Sequence, residues 1–181
     1  PFALGHQYLL ETAAAACDTL HLFVVSEDAS LVPFAVRKRL VAEGVAHLPN
    51  VILHDSGPYI ISNATFPSYF LKDEAAVISG HARLDLAVFT KIAKALNITA
   101  RYVGEEPTSQ VTGLYNQIMA EQLPRAGIDC IIVPRKEVNG KAISASTVRQ
   151  CLQAGDWNTL ETLLPQTSLA YFRSPEARII I

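Results

Sequence analysis

Apolar residues recur at helical spacing at Leu9, Leu10, Ala13, Ala14 and Ala16, which predicts an opening helix over about 6–17. Residues 20–25 (Leu-His-Leu-Phe-Val-Val) form a short unbroken apolar run of the kind buried in parallel sheets. Ser26-Glu27-Asp28 reads as a loop. Pro33 then starts a second amphipathic stretch reaching about His47, with Arg37, Lys38 and Arg39 near its beginning. Val51 to His54 is a second strand, broken by Ser56-Gly57-Pro58.

Further on, residues 59–62 read as strand or loop, 63–70 as loop or short helix, and 77–79 as a short strand. A helix is expected over 83–96, with Leu84, Ala87, Val88, Ile92 and Leu96 on one face and Asn97 as its stop. Strands follow at 99–103 and 130–133, separated by a loop at 104–107 and a helix over 111–123. Ser144 or Ser146 would cap a helix running to Leu152, with Gly155 ending it. Two short helices, 157–164 and 168–172, close the chain. Short apolar strands alternating with helices define an α/β protein with a parallel sheet, helices on both faces and right-handed crossovers. In such sheets ligands bind beyond the carboxyl ends of the strands.

Composition narrows the class. A chain of 181 residues, 50% of them hydrophobic, fits a single domain (1–181) with a sizeable core. The formal net charge of −2 argues against a dedicated nucleic-acid partner, and no apolar run is long enough to cross a bilayer. Cys17, Cys130 and Cys151 are far apart and lack paired ligand spacing. They read as reduced core thiols of a cytoplasmic protein and offer no zinc site. Pro1 stands directly before a helix with a candidate site, where a strand normally precedes, so the chain is expected to be part of something longer.

Two stretches carry candidate chemistry. Gly5-His6 opens the first helix, where backbone N–H groups are unpaired and the dipole is positive. The pair reads either as a plain turn and cap or as an anion site, glycine letting a phosphate approach the backbone. The stretch Ile143-Ser144-Ala145-Ser146-Thr147-Val148-Arg149 opens a late helix. Its hydroxyls lie beside free N–H groups, and Arg149 sits about one turn further on, where its fork could reach a phosphate. A plain N-cap with a surface arginine is the other reading. Asn139-Gly140-Lys141 adds a flexible, positively charged approach, with Lys136 nearby. His21 reads as a strand-end or core histidine, while His54 and His81 are expected to be solvated. The aromatic stretch from Asn63 to Tyr69 could pack as core or form a lid.

Taken together, Gly5-His6 and the Ile-Ser-x-Ser-x-x-Arg stretch resemble the nucleotidyltransferase superfamily, with its His-x-Gly-His and Ile-Ser-Ser/Thr motifs. Here Ala3 stands where the first histidine would be. The sequence 59–72 (Tyr-Ile-Ile-Ser-Asn-Ala-Thr-Phe-Pro-Ser-Tyr-Phe-Leu-Lys) closely resembles the citrate lyase ligase family. So do Pro1-Phe2-x-x-Gly5-His6, Phe23-Val24-Val25-x-Glu27-Asp28, Val103-Gly104-x-Glu106-Pro107 and 143–149. The resemblance covers nearly the whole chain, in order, and corresponds to the family's C-terminal catalytic portion. Departures are Glu105, in place of a small hydroxyl residue, and Ala3, in place of a threonine.

That resemblance implies a Rossmann-like nucleotidyltransferase fold lacking its first strand and an N-terminal acetyltransferase-like domain. It implies ATP-dependent acetylation of the prosthetic-group thiol on the citrate lyase acyl carrier subunit, through acetyl-adenylate and with pyrophosphate released. His6 would be catalytic, donating to the α-phosphate. Gly5, Ser144, Ser146, Thr147 and Arg149 would hold the phosphates, and Arg37 would add charge there or stay solvated. Phe2, Gly104 and Glu106 would serve the nucleotide, the last two otherwise forming a plain turn. Mg²⁺ would accompany ATP, bound mostly by phosphate and water. Two other functions stay open: an adenylyltransferase joining AMP to a phosphorylated cofactor precursor, and a non-catalytic nucleotide-binding module.

Overall fold

Runs that alternate between apolar and amphipathic fold into strands and helices in the expected order. The computed structural model describes residues 1–70 and 74–180. The chain opens with α1 (Leu4–Ala15), β1 (Leu20–Val24), α2 (Phe34–Gly44) and β2 (Val51–Asp55). Next come α3 (Ala75–Ala95), β3 (Ala100–Gly104), α4 (Gln110–Gln122) and β4 (Asp129–Val133). A small hairpin, β5 (Glu137–Val138) and β6 (Lys141–Ala142), leads into α5 (Ala145–Ala154), α6 (Trp157–Leu163) and α7 (Gln166–Arg173). Strands pair as β1 with β2, β3 with β4, and β5 with β6. The β3–β4 pair is parallel, in register from Ala100 opposite Asp129 to Gly104 opposite Val133, with α4 as the crossover.

The chain divides into two compact units. The first comprises Pro1–Leu22, Ser30–His54 and the chain from Arg135 onwards; the second comprises Phe23–Ala29 and Asp55–Pro134. In the first, Phe2, Leu40, Ile143, Val148, Leu160 and Leu169 are buried in one apolar cluster. Burial of each large aliphatic or aromatic side chain contributes about 1.5–3 kcal/mol. The side chains of Gln7, Glu11 and Asn50 tie α1 to the segment that follows it. Gln7 donates to the Gly44 carbonyl at 2.8 Å, Glu11 meets His47 at 2.8 Å, and the Asn50 amide donates to Ala14 and Cys17 carbonyls at 2.9 Å.

The second unit is built around Phe66, Ile78, Phe89, Tyr115 and Met119. Phe66 meets Tyr115 edge-on, with ring centroids 5.0 Å apart. Two expectations are corrected here. Residues 77–79 are not a strand: α3 begins at Ala75 and keeps one face of Ile78, Ala82, Leu86, Phe89 and Ala93 in the core. That face is also rotated from the expected one, since Leu84 is half exposed while Asp85 is fully buried. A purely hydrophobic pattern skips an aspartate. Asp85 is tolerated because donors surround it: Ile61 N–H at 2.6 Å, Thr65 Oγ1 at 2.7 Å, and the Tyr115 hydroxyl. Ile61 is held at φ +49° beside it.

The aromatic stretch from Asn63 to Tyr69 forms core and a short turn, Pro67–Tyr69, with Phe66, Ser62 and Ser68 buried. Leu71 and Lys72, the end of the same motif, lie outside the described residues. The approach at Asn139-Gly140 is also better ordered than expected. Both residues have positive φ, 52° and 72°, as a two-residue hairpin turn between β5 and β6 requires.

Candidate functional site

Gly5 and His6 occupy the first turn of α1, and their placement follows from local chemistry. Ala3 at the N-cap has no side-chain acceptor, yet its carbonyl takes the N–H groups of His6 and Gln7 at 2.9 and 3.1 Å. His6, at the third helical position, reaches back so that its Nδ1 accepts the Ala3 N–H at 3.1 Å. This is the returning half of a capping box, made by a histidine in place of Glu or Gln. With Nδ1 committed as an acceptor, the neutral ring carries its proton on Nε2.

The surroundings of His6 favour that neutral form. Crowding by protein atoms is the largest factor, followed by nearby positive charge that includes Arg135; together they hold its pKa down to about 4. The residue nonetheless keeps a solvent-exposed surface. Beneath it lies the Phe2 ring, near-parallel at 23° with centroids 5.9 Å apart. Phe2, placed at the nucleotide by the resemblance, is 6% exposed and belongs to the core.

The second stretch opens α5. Ser144 is its N-cap, and its Oγ accepts from Thr147 N–H at 3.1 Å. The same Oγ lies 2.8 Å from Thr147 Oγ1 and 3.2 Å from Ser146 Oγ, so three hydroxyls gather at one helix start. The hairpin sets the entry angle, because Ile143 N–H returns to the Lys136 carbonyl at 3.0 Å. Ser146 and Arg149 are exposed, and the Arg149 guanidinium makes no hydrogen bond or ion pair among the described residues.

These two helix starts are neighbours in the first unit. A Cβ built on Gly5 would stand 3.5 Å from the Cβ of Ile143, the residue just before the Ser144 cap. Arg37 is held in place by its Nε, which donates to the Val32 carbonyl at 3.0 Å. Gly5, His6, Ser144, Ser146, Thr147, Arg149 and Arg37 thus belong to one unit.

Gly104 and Glu106 belong to the other unit, at the end of β3. Glu106 Oε1 accepts from Thr108 N–H at 2.9 Å, Thr108 Oγ1 at 2.7 Å and Ser109 N–H at 3.0 Å, which closes the loop before α4. The Gly104 carbonyl accepts from Asn116 at 2.9 Å. Both therefore have structural work in that turn.

Pairing across β1 and β2 was not visible in the sequence. His21 Nδ1 lies 2.9 Å from His54 Nε2, and the rings stack at 5.2 Å. Burial, then His21, lowers the His54 pKa. His54 and His81 are half-buried, against the expectation of solvation; His81 Nδ1 meets Ser68 Oγ at 2.8 Å. The three cysteines are free thiols, each partly buried, and no described helix is long and apolar enough to cross a membrane.

Two adjacent helix N-termini, one carrying a neutral histidine donor and the other a hydroxyl cluster, define an α/β protein suited to receiving a polyanion. Comparison with known proteins supplies the family. The citrate lyase ligase C-terminal domain matches residues 1–172, and the chain belongs to that family. The citrate pro-3S-lyase ligase of Haemophilus influenzae is 42% identical over 179 residues, covering 96% of this chain and 53% of that protein. The protein of the same name from Klebsiella pneumoniae is 42% identical over 176 residues, covering 94% and 52%. That of Escherichia coli is 39% identical over 180 residues, covering 96% and 51%. The chain spans about half the length of the curated relatives it matches.

Proposed function

We propose that this chain is the adenylylating part of a ligase that activates citrate lyase, with a Rossmann-like nucleotidyltransferase fold. Acetate attacks the α-phosphorus of ATP, the bond to the leaving pyrophosphate breaks, and acetyl-adenylate forms. The prosthetic-group thiolate of the citrate lyase acyl carrier subunit then attacks the acetyl carbonyl and AMP leaves. The observation that carries this reading is the packing of Gly5 against Ile143, which brings the two candidate phosphate-binding helix starts side by side.

Chemistry of this kind needs fixed donors more than a protein nucleophile, since negative charge builds on the α-phosphate and the leaving group. A neutral His6, its proton on Nε2, suits donation to the α-phosphate. Removing one such donor typically costs about 3–4 kcal/mol of barrier. Ser144, Ser146, Thr147 and Arg149 suit the β- and γ-phosphates, with Arg37 adding charge and Gly5 leaving the backbone accessible. Mg²⁺ accompanying ATP would be held mostly by phosphate oxygens and water, and would supply positive charge at the phosphates.

The test is ATP–pyrophosphate exchange with and without acetate, followed by addition of the apo-thiol carrier. Exchange that requires acetate supports the ligase. Pyrophosphate release that needs only a phosphopantetheine-type acceptor supports an adenylyltransferase instead, and ATP binding with no turnover supports a binding module.

A further inference from the structure

His6 is the hinge of the proposed chemistry, and its bond to the Ala3 N–H does not by itself hold what lies under the ring. Two contacts beneath it do. The Phe2 ring, on which His6 stacks, fills the space that a side chain at residue 44 would need. A Cβ on Gly44 would lie 2.1 Å from Phe2 Cε1 and 2.8 Å from Cδ1, closer than atoms can approach. Gly44 has an ordinary helical backbone, so its lack of a side chain serves this close approach and no turn. On the other side, the Ser168 hydroxyl, fully buried at the start of α7, donates to the Phe2 carbonyl at 2.8 Å. Sequence separation between the partners is large: the bond from Ser168 joins residues 166 positions apart.

We propose that Gly44 and Ser168 are positioning residues for His6, acting through Phe2. The Phe2 backbone is pinned by Ser168, its ring is admitted by Gly44, and the ring in turn supports the imidazole. Phe2 also leads directly into Ala3, whose N–H is accepted by His6 Nδ1 at 3.1 Å. Displacing Phe2 therefore moves both the platform under the ring and the donor that sets its tautomer. A donor displaced by about 1 Å from the developing charge can lose a hundredfold in rate. The inference rests on His6 being the α-phosphate donor, but its structural half is measurable without turnover.

The decisive experiment combines kinetics with ¹⁵N NMR of His6. Ser168→Ala and Gly44→Ala are each expected to lower kcat for acetate-dependent exchange by at least about tenfold, with KM for ATP within about twofold. The ¹⁵N signals of His6, in wild type those of an Nε2–H tautomer, should shift toward a tautomer mixture in both variants. In a Phe2→Leu background, which removes Cε1 and Cζ, Gly44→Ala should have little further effect. Unchanged kcat and His6 signals in Ser168→Ala overturn the proposal, as does an equal cost of Gly44→Ala in the Phe2→Leu background. Should Gly44→Ala fail to fold, Ser168→Ala decides. If wild type shows no exchange, the ligase reading fails while the His6 signals still accept or reject the positioning roles.

Discussion

Gly5 packs against Ile143, with a would-be Cβ at 3.5 Å from the isoleucine Cβ, an ordinary contact distance. Residues far apart in the chain therefore place two helix starts next to each other, and the glycine is not required by steric conflict with Ile143. An alanine fits there. Gly5→Ala is expected to fold normally and to gain up to about 1 kcal/mol of helix stability. If the backbone at Gly5 approaches phosphate, the same variant raises KM for ATP. Thermal denaturation beside exchange kinetics separates the two effects; an unchanged KM removes Gly5 from the phosphate site.

For His6, cap and catalysis can be separated. His6→Ala is expected to lose at least about a hundredfold in rate with little change in ATP affinity. It also loses the bond to the Ala3 N–H, worth about 1 kcal/mol. Glutamine at the third helical position can restore that bond. His6→Gln should thus recover stability and not rate. Full activity in either variant would sink the catalytic assignment.

Arg149 should matter to the ligand and not to the fold. It is exposed and makes no hydrogen bond or ion pair among the described residues. Arg149→Ala is expected to change stability by no more than about 0.5 kcal/mol. Its effect on ATP affinity, read by calorimetry, should be about tenfold to a hundredfold, the range of a charge-assisted hydrogen bond.

Acid should weaken the protein through His6. Its pKa falls from 6.5 to about 4 in the folded state, first through crowding. Between those values the unfolded chain binds more protons, so stability is full above about pH 6.5 and declines as pH falls toward about 4. His54, whose pKa is also lowered, adds in the same direction. Urea midpoints measured across this window should fall less steeply for His6→Gln than for wild type. Parallel slopes would show that His6 does not titrate as described.

In the second unit, the Tyr115 hydroxyl donates to the buried Asp85 carboxylate, and burial raises the tyrosine's own pKa. Tyr115→Phe keeps the ring against Phe66 and removes that donor, together with the acceptor of a 3.4 Å bond from Arg101. It is expected to cost about 1.5–3 kcal/mol in urea denaturation, as for a hydrogen bond to a charged group. A loss below about 0.5 kcal/mol would mean that Asp85 finds another donor.

Much of this protein is local in origin. Periodicity placed β1, β2, β3, β4, α4 and α5 within a residue or two, because strand and helix repeats are properties of short windows. The Ser144 cap and the left-handed stop at Gly155 (φ +66°) were equally legible, since both are backbone chemistry within one turn. Asn139-Gly140 carried a hairpin signal that its polar composition disguised as flexibility. Other features had no local signature. Asp85 in the core and the His21–His54 pair depend on which partners the fold brings to each group. Likewise Gly44 looks like a plain helix end until Phe2 is seen against it, and Ser168 until its hydroxyl is seen on the Phe2 carbonyl. Hydrogen-bond partners and close packing between distant residues are set by three-dimensional proximity, which only the folded chain decides.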